Sequence, residues 1–220
     1  MARLLLQVLC ASVAMAALWA APASAATRCG PSGTPGTERC VTGLPAPLLA
    51  RMHQLQQGTQ WCWAASISMV LRRYGVDVPQ AQIVDTHLGG LRDESITAED
   101  LAGLLSREWR DGDGRRLQAS AEAVPKWRAF FGVAAPEVLA ELEQDRPVIL
   151  GLQRHAVVLV EVVYERSAGA ASGPVRLLRA VVLDPALQVG LRSLRPADGD
   201  VISLMRVHVQ AEAQVAQAAR

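Results

Sequence analysis

The sequence predicts an α+β fold, because its hydrophobic period changes partway along the chain. Before Asp145, apolar residues recur at helical spacing. After Arg146, the runs "PVILGL", "HAVVLVEVVY", "VRLLRAVVLD" and "VISLMRVHVQ" are β-branched, and turn-rich segments such as "SAGAASGP" and "PADGD" separate them. Helices followed by strands segregate the two kinds of structure, which describes a helical N-terminal half with a central cysteine-bearing helix on a C-terminal antiparallel sheet. One cleft between two lobes is the expected consequence.

The first 25 residues, "MARLLLQVLCASVAMAALWAAPASA", hold one basic residue, a long apolar run and Ala23-Ser24-Ala25 in the small-x-small pattern of a signal peptidase site. Residues 1–25 are therefore expected to be a cleaved signal peptide. Cys10 leaves with it, since Leu9 is not the small residue a lipoprotein site requires. The alternative is a permanent anchor, for which the run is short against the ~20 residues of a bilayer span. The expectation is an exported protein, periplasmic or secreted, with no membrane contact after cleavage. The most apolar later segment, "PVILGLQRHAVVLVEVVY", is broken by Arg154, His155 and Glu161.

The chain has 220 residues, enough after cleavage for one domain with a real core. It carries 22 Lys and Arg against 21 Asp and Glu, and Arg3 belongs to the leader. The remainder is formally neutral, which argues against nucleic acid as a partner, because phosphate binding needs surplus positive charge. A monomer is the expected form.

Export also means an oxidising compartment, where paired cysteines persist. Cys29, Cys40 and Cys62 remain after cleavage. Cys29 and Cys40 bracket the flexible "GPSGTPGTER", and a disulfide closing that loop stabilises by about 2.5 to 3 kcal/mol. By elimination Cys62 is the free thiol.

Residues 26–54, rich in Gly, Pro and Thr at their start, are expected to form an irregular N-terminal arm around the Cys29–Cys40 loop. Residues 55–210 form the single domain, and 211–220 a fraying tail. From Trp61 to Tyr74 the positions Ala64, Ile67, Leu71 and Tyr74 recur at helical spacing. Ala65, Met69 and Val70 widen that stripe until nearly every side is apolar, so this helix belongs in the middle of the fold. Gly75 caps its C-terminus. A second helix starts near Pro79 and runs to Gly89. "TAEDLAGLLSREW" offers Thr97 as N-cap with Asp100 three residues on, in the manner of a capping box. "PEVLAELEQ" gives one more helix.

A cysteine nucleophile needs a stabilised thiolate, a base, a group that orients the base, and donors for an oxyanion. Cys62 lies in the first turn of its helix, where free N–H groups and the dipole favour negative sulfur. Among His53, His87, His155 and His208, only His155 opens a core strand; no aspartate follows the competing His208. Asp184, at the end of "RAVVLD" and before Pro185, can orient the imidazole from an adjacent strand. The chain has no asparagine to take that role. Gln56, six residues before Cys62, offers a side-chain amide to the oxyanion, with Gln57 as the neighbouring alternative.

"QQGTQWCWAASISMVLRRYG", "RPVIL", "HAVVLVEVVY" and "VVLDP" together resemble the papain-like cysteine peptidases of bacteria, in particular the bacteriocin-leader-processing and plant-pathogen-effector branches. The resemblance covers roughly Leu55 to Pro185. It implies a papain-like two-lobe fold, with Cys62 as nucleophile, His155 as acid and base, Asp184 as orienter and Gln56 as oxyanion donor. Relatives often carry a glycine just before the histidine and another near the end of its strand; here Arg154 and Glu161 stand instead, so the shape of the cleft rim is open.

The implied reaction is peptide hydrolysis through an acyl-enzyme. Cysteine-dependent acyl transfer or deamidation on the same fold is a second reading, and a catalytically silent peptide-binding module a third. No cofactor or metal is called for: "RDGDGRR" at Arg110–Arg116 reads as a solvated loop lacking the further acidic ligands of a calcium site. CxxC pairs, HExxH and phosphate-cradling glycine patterns are absent.

Overall fold

The computed structural model describes residues 26–125, 135–170, 173–186, 190–196 and 201–210. The expected leader and tail lie outside the described residues. In chain order the elements are β1 (Arg28–Pro31), β2 (Thr37–Gly43), α1 (Ala46–Met52), α2 (Cys62–Arg73), α3 (Gln80–Leu88), α4 (Ala98–Leu105), β3 (Glu108–Arg110), β4 (Arg116–Pro125), α5 (Ala135–Glu143), β5 (Val148–Leu152), β6 (His155–Ser167), β7 (Arg176–Leu183), β8 (Leu191–Leu194) and β9 (Ser203–Gln210). The nine strands make one antiparallel sheet along the path β1-β2-β6-β5-β9-β4-β3, with β7 on β6 and β8 on β7. No helix among the described residues is long and apolar enough to cross a membrane.

β6 is the axis of the sheet. Along one edge its first half pairs with β5 and its second half with β2, while β7 runs along the other edge. The β6–β7 register shifts between Leu159 and Glu161, and the alternation of side chains flips there. Ala156, Val158 and Val160 join the core with α2. On the opposite face Val157 and Leu159, then Val162 and Tyr164 beyond the bulge, join a second core with the α5 residues Val138, Leu139 and Leu142. Both faces of β6 are covered, which is why "HAVVLVEVVY" is nearly continuously apolar.

α2 is the helix that the first core surrounds. Every residue from Cys62 to Leu71 is buried, as the all-round apolar pattern predicts. The helix stops where Gly75 takes a φ of +81°, a conformation open to glycine. α3 follows Pro79 and ends at Gly89 in the left-handed region. Thr97 and Asp100 close a capping box at the start of α4.

The expected irregular arm is a correction. Residues 28–43 form a β-hairpin that extends the main sheet, with Cys29 directly opposite Cys40 and joined to it by a disulfide, and 46–52 form a helix begun by Pro45. β1 is exposed along its whole length, so no alternation marks it in the sequence. A wholly helical first half is the second correction, because β3 and β4 enter the sheet beside β9. On β4 the residues at Leu117, Ala119, Ala121 and Ala123 join the first core, but alanine gives the period-2 signal little amplitude. The "RDGDGRR" segment is the β3–β4 turn, and it is less solvated than expected: Asp111 is buried and accepts from the N–H groups of Asp113 and Arg115.

Replacing Cys29 and Cys40 together with serine should lower the unfolding free energy by about 2.5 to 3 kcal/mol, read as a fall in urea midpoint. The hairpin pairs the half of β6 remote from His155. Alkylation of Cys62 in the native protein should therefore proceed at the parent rate.

Candidate active site

Three points of the chain converge on one place: the start of α2, the turn between β5 and β6, and the residue after β7. Antiparallel pairing of Val158 with Leu183 sets Asp184 beside the first residues of β6. His155 Nε2 lies 2.7 Å from Asp184 Oδ1. Cys62 lies close enough to the same ring to raise its pKa, and both residues line one cleft. The structure thus brings Cys62, His155 and Asp184 together.

The electrostatics follow from these contacts. The hydrogen bond to Asp184, then the interaction with Cys62, outweigh burial and lift the His155 pKa from 6.5 to about 9. At neutral pH the ring is therefore an imidazolium beside the sulfur, the environment in which cysteine nucleophiles work. Burial pushes the Asp184 carboxyl up, but the hydrogen bond to His155 and the Ala186 N–H, at 3.0 Å, hold it below the usual carboxylate value. Arg192 Nη1 stands 2.8 Å from Asp184 Oδ2. Its angle leaves Oδ2 without a directed hydrogen bond, so this contact acts through charge.

Gln56 is near these residues but engaged elsewhere. Its backbone N–H donates to Pro185 O at 2.7 Å, which ties the segment before α2 to the Asp184 segment. Its side-chain amide donates to the carbonyls of Gly58 and Thr59, both at 2.9 Å. A role at an oxyanion requires one of those bonds to be exchanged for the substrate. Gln57 donates its backbone N–H to Gln80 Oε1 at 3.0 Å, and it is Gln60, not singled out by the sequence, that lines the cleft.

The loop before α2 is held by partners that carry no sequence signal. Asp93 accepts from Thr59 N–H at 3.2 Å, Gln60 N–H at 2.7 Å and the Thr59 hydroxyl. The Thr59 hydroxyl and then the Gln60 N–H hold the Asp93 carboxyl below its ordinary pKa. The indoles of Trp61 and Trp63 donate to Arg92 O and Glu94 O. Gly58 permits a close approach, because a Cβ there would sit 2.7 Å from the Trp61 ring. Behind the loop, buried Gln80 donates to Gln54 Oε1 and Leu55 O, while Gln54 donates to Ser68 on α2. Arg192, Asp93 and Gln80 are identifiable only once the fold places them.

Cys62 and His155 open on a cleft of about 300 Å³, walled by Trp63, Ile96, Leu101 and Leu152 and edged by Arg154 and Ile202. His53 and His208 do not line it. His87 lies against Trp63, with ring centroids 5.8 Å apart and the planes near perpendicular. Among the described residues, the grouping of metal-ligand type is Cys29, Glu38 and Cys40. Its two sulfurs are spent in the disulfide.

No family model and no curated protein matches the chain. Among solved structures it is similar to the peptidase domain of Streptococcus ComA, a bi-functional ABC transporter involved in a quorum sensing pathway, at 13% identity and a TM-score of 0.46, covering 73% of this chain and 98% of that one. It is also similar to UfSP from C. elegans, at 14% identity and a TM-score of 0.45, covering 78% of this chain but only 33% of that one.

The raised His155 pKa has a sign that can be checked. The stability it contributes is fully present below the unfolded value of 6.5 and is lost as pH rises through about 9. Asp184 works in the opposite sense: its contribution is present above 3.8 and is lost as pH falls through its lower folded value. The urea midpoint should therefore decline between pH 6.5 and about 9. In Asp184→Asn that alkaline decline should flatten, and imidazole NMR should show His155 titrating closer to 6.5.

Proposed function

We propose that this chain is an exported cysteine peptidase of the papain-like, two-lobe kind, with Cys62 as nucleophile, His155 as acid and base, and Asp184 as the group that orients the ring. The observation that carries this reading is the His155 imidazole, bonded to Asp184 Oδ1 and set beside Cys62 on an open cleft. Structural cysteines and histidines are common in cores, and it is the grouping of these three that supports a catalytic role.

In this reading the thiol proton resides on His155, and the sulfur attacks a peptide carbonyl carbon. The carbonyl π electrons move onto oxygen, and the oxyanion faces the first-turn N–H groups of α2, which have no intrahelical acceptors. Gln56 supplies a further donor once the substrate displaces one of its loop carbonyls. When the tetrahedral species collapses, the C–N bond breaks and His155 gives its proton to the leaving amine. A thioester on Cys62 remains. Water then enters, gives a proton to His155 and attacks the thioester carbon. Collapse of the second tetrahedral species expels the sulfur and releases a carboxylic acid, with the thiol proton again on His155. Asp184 keeps the ring in one orientation and stabilises its cationic form, and Arg192 offsets the buried carboxylate charge.

The test is a peptide mixture incubated with the disulfide-bonded protein, with new α-amino groups counted by N-terminal labelling and mass spectrometry. New amines should appear, Cys62→Ala should reduce them to background, and His155→Ala should lower the rate by at least about 10²-fold. Ammonia or crosslinked products without new amines would assign the site to deamidation or acyl transfer. Peptides bound but unchanged would leave a binding module.

A further inference from the structure

We propose that Arg154 reads a carboxylate on the substrate, so that the cleft selects peptides carrying an acidic group beside an aliphatic residue close to the bond that is cut. The inference rests on the reading of Cys62 and His155 as the reacting pair, and it adds a substrate class to it.

Arg154 is the exposed second residue of the two-residue turn between Leu152 and His155, and it lines the same cleft as Cys62 and His155. Its φ is +60°, in the left-handed region where an L residue with a Cβ is strained and glycine is not. Arginine in that conformation carries a strain that glycine would avoid. The turn alone therefore favours no side chain at this point, yet the chain places its longest cation there.

That cation is also unspent. Among the described residues Arg154 closes no ion pair and donates no hydrogen bond, whereas Arg39, Arg115, Arg146, Arg166 and Arg206 each pair with a carboxylate. No Asp or Glu lines the cleft, so nothing within it answers the guanidinium. Beside it Ile96, Leu101, Leu152 and the half-exposed Ile202 form an aliphatic seat. A planar fork of donors next to an apolar wall fits a carboxylate bidentately and an aliphatic side chain beside it.

The experiment compares alkylation of native Cys62 by iodoacetate and by iodoacetamide, in the parent protein and in Arg154→Gly and Arg154→Gln. The glycine variant suits the turn conformation, so it should fold. Taking the anion-to-neutral rate ratio within each protein cancels any change in the thiol itself. That ratio should fall by about three- to fivefold in both variants, and salt at about 0.5 M should narrow the difference. A ratio equal to the parent's, with Cys62 still reactive, overturns the role of Arg154 and leaves the Cys62–His155 site standing. A parent Cys62 inert to both reagents overturns the site and this inference together. The source of the carboxylate is then read from peptides differing only in Glu or Gln beside leucine, each as free acid and as C-terminal amide. A Glu preference that survives amidation assigns a side-chain carboxylate, a preference for the free acid alone assigns the chain terminus, and no preference of either kind overturns the proposal.

Discussion

The register of β6 against β7 is the constraint on which the site depends. With Val158 opposite Leu183, the strand that begins at His155 and the strand that ends before Asp184 meet so that Nε2 and Oδ1 are 2.7 Å apart. A one-residue slip would turn Asp184 to the other face of the sheet and leave the imidazole without its carboxylate. The register is secured by burial on both faces of β6, since a slip would also carry Val157 and Leu159 out of one core and Val158 out of the other. Cys62 arrives independently, because α2 is buried from its first residue against the same strand. Two separately determined elements thus meet at one histidine.

The start of α2 has no side-chain cap, and the loop ahead of it is held by a different device. Asp93 gathers two backbone N–H groups and a hydroxyl, the indoles of Trp61 and Trp63 reach Arg92 and Glu94, and Gln80 with Gln54 fills the space behind. Leaving the helix end uncapped keeps its N–H groups open toward the cleft. The stabilisation that a Ser or Asp cap of about 1 kcal/mol would give is supplied by long-range bonds instead. Local capping rules give way here to bonds made across the fold, as they commonly do at functional sites.

How much of this was legible in sequence follows from which signals are local. α2, α3 and the capping box of α4 are written in their own residues, and so is the shift to strands after Arg146. β6 and β7 announce themselves by β-branching. The β1–β2 hairpin was hidden because an exposed edge strand has no buried side to alternate with, and β4 because its core positions beyond Leu117 are alanines. Cys62, His155 and Asp184 could be nominated from their flanks, since each sits at an element end that the sequence marks. Arg192 and Asp93 could not, because neither carries a local signal and each acts across the fold. Gln56 was legible as a position, but its engagement with Gly58 and Thr59 depends on how the loop closes.

The proposed reaction requires Cys62 to become covalently acylated while His155 shuttles the proton, and acid quenching during peptide turnover, followed by intact mass and fragmentation, would catch that acyl group. A transient mass increase equal to an acyl fragment should map to Cys62, decay as substrate is consumed and be absent from Cys62→Ala. Turnover of the same peptides by Cys62→Ala at the parent rate, or an adduct that maps to another residue, would contradict it.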